Sequence, residues 1–287
     1  MIIDLKGFPE IKKVEEASIS FNNNIIGWQY TCHGENGPIG SGVSSEKNIA
    51  LRISIAEAFE RLAVNKIAKS DLRIEYGLDI YGTTCGFAAG FDKYKTKLRS
   101  ISEAIERWAW SKWIDDGYFI NKVYAPKKLT LLGKYFQSHF DEVLHYQVPL
   151  ILGEELQLQG MPQRVFLSIT LGIKNNGIFP GSRIHFLGDE AWEHPLLEAW
   201  RHLKIYESPI NLQEDTFVYG KIRYFGNHVD EALSQVNKAN KKFLLSPELR
   251  LLKSHIIDNN DNTVFIWRSL MKNYIGWDQG EISRFVY

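Results

Sequence analysis

The chain has 287 residues, 44% hydrophobic and 24% charged, with Lys+Arg and Asp+Glu equal at 34 each. A zero formal charge offers no surplus of cations to displace counterions, which argues against non-specific nucleic-acid binding, and no nucleic-acid partner is expected; the hydrophobic fraction argues against long disorder. No apolar run reaches the roughly 18 residues of a membrane span. The opening Met1-Ile2-Ile3-Asp4-Leu5-Lys6 lacks the basic and apolar regions of a signal peptide. Cys32 and Cys85 are too few for a disulfide scaffold or a Cys-rich zinc site, and they fit a reducing cytoplasm.

Residues 1–30 alternate apolar runs with turn signals such as Asn22-Asn23-Asn24, which predicts a small helix and one or two strands. Residues 31–45, with Gly34, Gly37, Gly40, Ser41 and Gly42, read as a loop. A helix is predicted over 46–69, with Ser44 or Ser45 as N-cap. Loop and strand follow over 70–84, a second loop of small residues over 85–90, and a second helix over 94–115. Further along, the pattern predicts a helix over 131–139, a buried strand over 163–173, helices over 189–206 and 230–241, and a strand over 263–270. No Pro/Gly/Ser linker interrupts this order, so one α/β domain of mixed strands and helices over 1–287 is expected.

An internal repeat stands out. Glu57-Ala58-Phe59-Glu60-Arg61-Leu62-Ala63 recurs 46 residues later as Glu103-Ala104-Ile105-Glu106-Arg107-Trp108-Ala109. The same offset relates Gly40 to Gly86, Lys47 to Lys93 and Ser54 to Ser100, so a loop-helix unit is used twice. Glu198-Ala199-Trp200-Arg201 is a weaker echo. Within each copy the two glutamates are three apart and the arginine is four from the first, so all share a helix face. Such spacing also describes a solvated face laced with Glu–Arg pairs. Here Ile49, Ile53, Ile55, Phe59 and Leu62 circle the first helix, and Ile101, Ile105, Trp108, Trp110 and Trp113 the second. Little polar face remains, and sheltered carboxylates need a partner. Four of them are not neutralised by two arginines. A magnesium ion takes hard oxygen ligands and bridges carboxylates to phosphates, and arginines fork onto phosphate oxygens. No GxxxxGK[ST] loop is present, so this is not a P-loop site.

The sequence resembles the YcaO-domain family. That family carries a GxG-type loop, a helix with ExxER, a second loop of the form (S/T)xGxAAG, a second ExxER helix, and a third helix with a glutamate. Here these are Gly40-Ser41-Gly42 with Glu57, Glu60 and Arg61; Thr84-Cys85-Gly86-Phe87-Ala88-Ala89-Gly90 with Glu103, Glu106 and Arg107; and Glu198. The resemblance spans roughly residues 30–210. It implies a YcaO-like fold of mixed β-sheets with the repeated loop-helix unit. It also implies ATP- and magnesium-dependent activation of peptide backbone amides, of the cyclodehydratase or thioamidation type, in making a ribosomal modified peptide. By the same resemblance Glu57, Glu60, Glu103, Glu106 and Glu198 hold magnesium, and Arg107 and Arg61 face phosphates or brace the carboxylates; Ser41, Ser54, Cys85, His194, Arg201 and Arg268 are further candidates for the nucleotide. A precursor peptide is the implied substrate. A separate leader-recognition protein is expected from the short length, and a homodimer by resemblance.

The chain departs from the family pattern at Ser41, often Lys; at Cys85, often Asn or Ser; at His194, where many members have Arg; and at Arg201, in place of a common Gln. The interval between the first two motifs is short, and the ending Ile282-Ser283-Arg284-Phe285-Val286-Tyr287 is not proline-rich. These departures define the alternative, a non-catalytic YcaO-like subunit that binds a precursor peptide or partner. Other readings are a metal site at His194 and His202, a Cys85 nucleophile for which no base is evident, and Arg183 and His185 as cleft residues. Arg268 is also readable as a surface salt bridge.

Overall fold

The computed structural model describes residues 10–118, 121–123, 129–186, 192–209, 217–238, 246–259 and 262–287. Among them no helix is long and apolar enough to cross a membrane. The chain divides into two compact units. The first runs to Ile101 and takes in Arg250–Leu270; the second comprises Ser102–Leu249 and Met271–Tyr287.

In the first unit β1 (Lys13–Phe21), β2 (Asn24–Gly34) and β3 (Gly37–Ser44) form an antiparallel meander in that order. Asn22 and Asn23 close its first turn at φ of 50° and 63°, the left-handed region that asparagine tolerates. The stretch expected as a loop over 31–45 is therefore the end of β2 and all of β3. Its glycines serve close approach rather than chain freedom. A Cβ at Gly40 would lie 2.3 Å from the Ser54 carbonyl oxygen, and one at Gly42 would lie 2.0 Å from that of Ala50, so only glycine lets α1 (Lys47–Ala68) settle on β3. Helix α1 matches the helix expected over 46–69. A four-residue helix, α2 (Leu72–Glu75), stands where loop and strand were expected.

The second small-residue loop is likewise a strand. β4 (Phe87–Gly90) pairs antiparallel with β10 (Asn262–Met271), which also pairs with β9 (Leu249–Asn259), giving the order β4-β10-β9. Phe59, Ala63 and Ile67 from α1, Phe87 and Ala89 from β4, and Val264 and Ile266 from β10 share one core cluster. Each of those large side chains contributes about 1.5–3 kcal/mol by leaving water.

Helix α3 (Lys93–Asp116) follows the expected 94–115, and the division between units falls within it. The second unit is built on the sheet β5-β6-β7-β8, from β5 (Asn121–Val123), β6 (Glu142–Ile151), β7 (Arg164–Lys174) and β8 (Gly177–His185). β7 is the strand expected over 163–173, and six consecutive residues from Leu167 to Gly172 are buried. Helix α4 (Leu131–Gln137) starts at Thr130, whose hydroxyl accepts from the Gly133 amide at 3.0 Å, an N-cap. The short α5 (Glu154–Leu158) precedes β7, and α6 (Glu193–Glu207) follows β8. Of the helix expected over 189–206, residues 189–191 lie outside the described residues. Helices α7 (Phe217–Phe225) and α8 (Val229–Asn237) complete the unit; of the helix expected over 230–241, residues 239–241 are not described. Trp110 packs on Phe285, Trp113 on Tyr146, and Phe225 on Phe285, at centroid distances of 6.3, 5.2 and 4.7 Å.

Candidate functional site

β3 is an edge strand, so its outward amides have no strand partner. The Ser41 amide is met by Glu57, donating to Oε2 at 3.0 Å, while Arg61 donates to Oε1 at 2.6 Å. The Glu57 side chain is a quarter exposed. Ser54 lies inside: its hydroxyl donates to the Leu51 carbonyl at 2.8 Å and accepts from Cys32 Sγ at 3.4 Å. Burial pushes the Cys32 thiol above its ordinary value, against the Ser54 hydrogen bond. Cys85 is buried and reduced, its amide donating to Thr83 Oγ1. Arg268 is fully buried. It donates to the Tyr81 carbonyl at 2.9 Å and lies 4.5 Å over the Phe87 ring, so it is no surface salt bridge.

In the second unit the free edge of β8 is served in the same way, by three side chains. His202 Nδ1 bonds the Pro180 carbonyl at 2.7 Å; because a carbonyl only accepts, Nδ1 carries the proton. The Ser182 amide donates to Glu198 Oε2 at 3.1 Å, and the Ile184 amide to Glu106 Oε2 at 3.2 Å. The Ser182 hydroxyl donates to the other oxygen of Glu106 at 2.5 Å. His194, one turn before Glu198 on α6, brings Nε2 to 3.3 Å from Glu198 Oε1.

The two carboxylates divide in character. Burial above all, then the charge of Glu198, raises the Glu106 carboxyl against the opposing pull of Arg107. Burial pushes Glu198 up as well, but His194, Arg107 and the Ser182 amide together hold it well below the ordinary range. The two acids of this neighbouring pair are thus pushed in opposite directions by their surroundings.

The edge geometry recurs between units. Ser41 precedes Glu57, and Ser182 precedes Glu198, by 16 residues each. Gly40 presses on the Ser54 carbonyl and the Ala58 amide; Gly181 presses on the Pro195 carbonyl and the Ala199 amide. A meander followed by a helix is thus built twice, β1-β2-β3-α1 and β6-β7-β8-α6. The weak echo at Glu198 is therefore a copy of the first unit's strand-helix geometry. Ser182 escaped the sequence reading, although Gly181 stands 17 residues before Glu198 as Gly40 does before Glu57.

The structure thus groups Ser41, Glu57 and Arg61 in the first unit. In the second it groups Glu106, Arg107, His194 and Glu198, with Ser182 and His202. Glu60, Glu103 and Arg201 are partly buried on α1, α3 and α6. Arg183 is exposed, and His185 Nε2 meets Ser168 Oγ at 2.7 Å. Among the described residues no three His, Cys, Asp or Glu side chains converge into a metal cage.

No family model matches the sequence, and no curated protein matches it. Solved structures do. YcaO from Methanopyrus kandleri bound with AMPPCP and Mg2+ aligns over 92% of this chain and 86% of that one, at 12% identity and a TM-score of 0.61. A heterocyclase in complex with substrate and cofactor aligns over 92% of this chain and 50% of that one, at 10% identity and a TM-score of 0.54. This chain therefore spans half of that heterocyclase. The likeness is one of fold, and it bears out the YcaO-like mixed α/β architecture expected from the repeated motifs.

Proposed function

We propose that this chain, with the fold of YcaO domains, is an ATP- and magnesium-dependent enzyme that activates backbone amides of a precursor peptide, by cyclodehydration or thioamidation. The observation that carries the reading is the Glu106–Glu198 pair. Two helices deliver these carboxylates to one serine, with Arg107 and His194 beside them. The fold is that of a YcaO bound with AMPPCP and Mg2+.

The donor set fits magnesium that arrives with phosphates. This ion takes one or two protein carboxylates and completes its shell with phosphate oxygens and water, so a cage of three is not needed. Glu198 is ionised and a quarter exposed, and each of its oxygens keeps a lone pair beyond its one hydrogen bond. Within the second unit Glu103, Glu106 and Glu198 are the carboxylates that would hold it; the first unit has its own pair, Glu57 and Glu60. Bound there, magnesium would neutralise charge on a transferring phosphoryl group. Arg107 supplies a forked, permanently charged donor for phosphate oxygens. His194, when protonated, keeps Glu198 ionised.

The second reading, a non-catalytic subunit binding a peptide or partner, is favoured by one observation. Glu57, Glu106 and Glu198 already accept from strand-edge amides, which would suffice to explain them as edge caps. Calorimetric titration of ATP with magnesium separates the two readings. Binding by the wild type that is lost in both Glu57→Gln and Glu103→Gln is expected of the enzyme. Absence of binding by the wild type at millimolar ATP would leave the edge-cap reading.

A further inference from the structure

We infer that Ser182 is the positioning residue of the carboxylate pair, an inference that rests on the proposed magnesium–nucleotide site. Ser182 is 1% exposed, and the two groups it offers point at two different helices. Its amide holds Glu198 of α6 at 3.1 Å, and its hydroxyl holds Glu106 of α3 at 2.5 Å. The amide is fixed by the backbone. β8 is in register with β7 across Ile169↔Ser182, and Gly181 lets α6 press on the strand whatever side chain follows. The hydroxyl is therefore the separable contribution, and it acts on Glu106 alone.

Glu106 has two donors from β8, the Ile184 amide and the Ser182 hydroxyl, one on each oxygen. With both in place the plane of the carboxylate is set, and so is its spacing from Glu198. Without the hydroxyl one buried oxygen loses its donor, and the carboxylate is held at a single point about which it can swing. A cation drawn to the pair would then meet one fixed oxygen ligand in place of two. Groups that orient ligands in this way change metal affinity by about 10–100-fold when removed.

The test is calorimetric binding of a non-hydrolysable ATP analogue to the full chain over a magnesium series, for the wild type, Ser182→Ala and Ser182→Thr. The magnesium concentration giving half-maximal binding is expected to rise about tenfold or more in Ser182→Ala, and to return to within about threefold of wild type in Ser182→Thr, which restores the hydroxyl. A purely structural serine would lower the melting temperature and leave that midpoint unmoved, so an unchanged midpoint in folded Ser182→Ala overturns the inference. If the alanine variant does not fold, Ser182→Cys, of similar size but a weaker donor, must still shift the midpoint, and an unshifted one is equally fatal. A wild type that binds no nucleotide at any magnesium concentration defeats the functional reading itself, and the positioning role falls with it. Wild-type binding with an indifferent Ser182→Ala defeats the positioning role alone.

Discussion

His145 shows how a single side chain is decided by its surroundings. It lies on β6 at 2% exposure, with Nδ1 3.0 Å from Thr170 Oγ1 and its ring edge-on to Trp192 at 4.6 Å. Burial lowers it from 6.5 to about 4, so it is neutral in the fold at neutral pH. Between those two values the unfolded chain binds a proton that the folded chain refuses. Stability from this group is therefore present above pH 6.5 and is lost as pH falls toward 4. The loss should amount to about 3 kcal/mol, and His145→Phe should remove that part of the pH dependence of unfolding. An unaltered slope in the variant would assign it to other groups. The eight histidines were visible in sequence, but the tertiary contacts that separate this core histidine from His194 and His202, beside Glu198, were not.

The strand-helix pair is the element that the sequence half revealed. Spacing placed α1 and α3 within a residue or so at each end, because apolar residues at helical period are a local property; the N-cap expected at Ser44 or Ser45 falls instead on Glu46, which makes no side-chain capping bond. The same local logic misassigned β3 and β4 as loops, because glycine usually marks a flexible turn. The extended state of β4 depends on a partner distant in sequence, β10, while β3 is the second arm of a tight hairpin with β2 whose glycines serve a helix pressing close. Gly42→Ala and Gly181→Ala each put a Cβ 2.0 Å from a helix carbonyl oxygen. Strand or helix must move, and each substitution is expected to cost about 1–3 kcal/mol or more by denaturant unfolding. Gly133→Ala, in α4, meets neighbours only at 3.5 Å and should be neutral or stabilising by up to about 1 kcal/mol. Equal losses at all three would mean that close approach is not what selects these glycines.

For the molecule as a whole, a ligand that binds only the folded chain must stabilise it. At a hundred times its Kd, magnesium-ATP should contribute about 2.7 kcal/mol, a rise of several degrees in melting temperature for a chain of this size. A chelator should abolish the rise; ATP without magnesium raising the melting point equally would remove the carboxylates from the account. From sequence alone came the mixed α/β class, the doubled ExxER unit and the family likeness, because repeats and helical faces are written in short-range spacing. Tertiary structure decided that Glu198 belongs to a full copy of the strand-helix device, that Ser54, Cys85 and Arg268 are buried, and that Ser182 joins Glu106 to Glu198. Each of these depends on which edge of which strand faces which helix, and that is set by long-range packing over many residues rather than by any window of the chain.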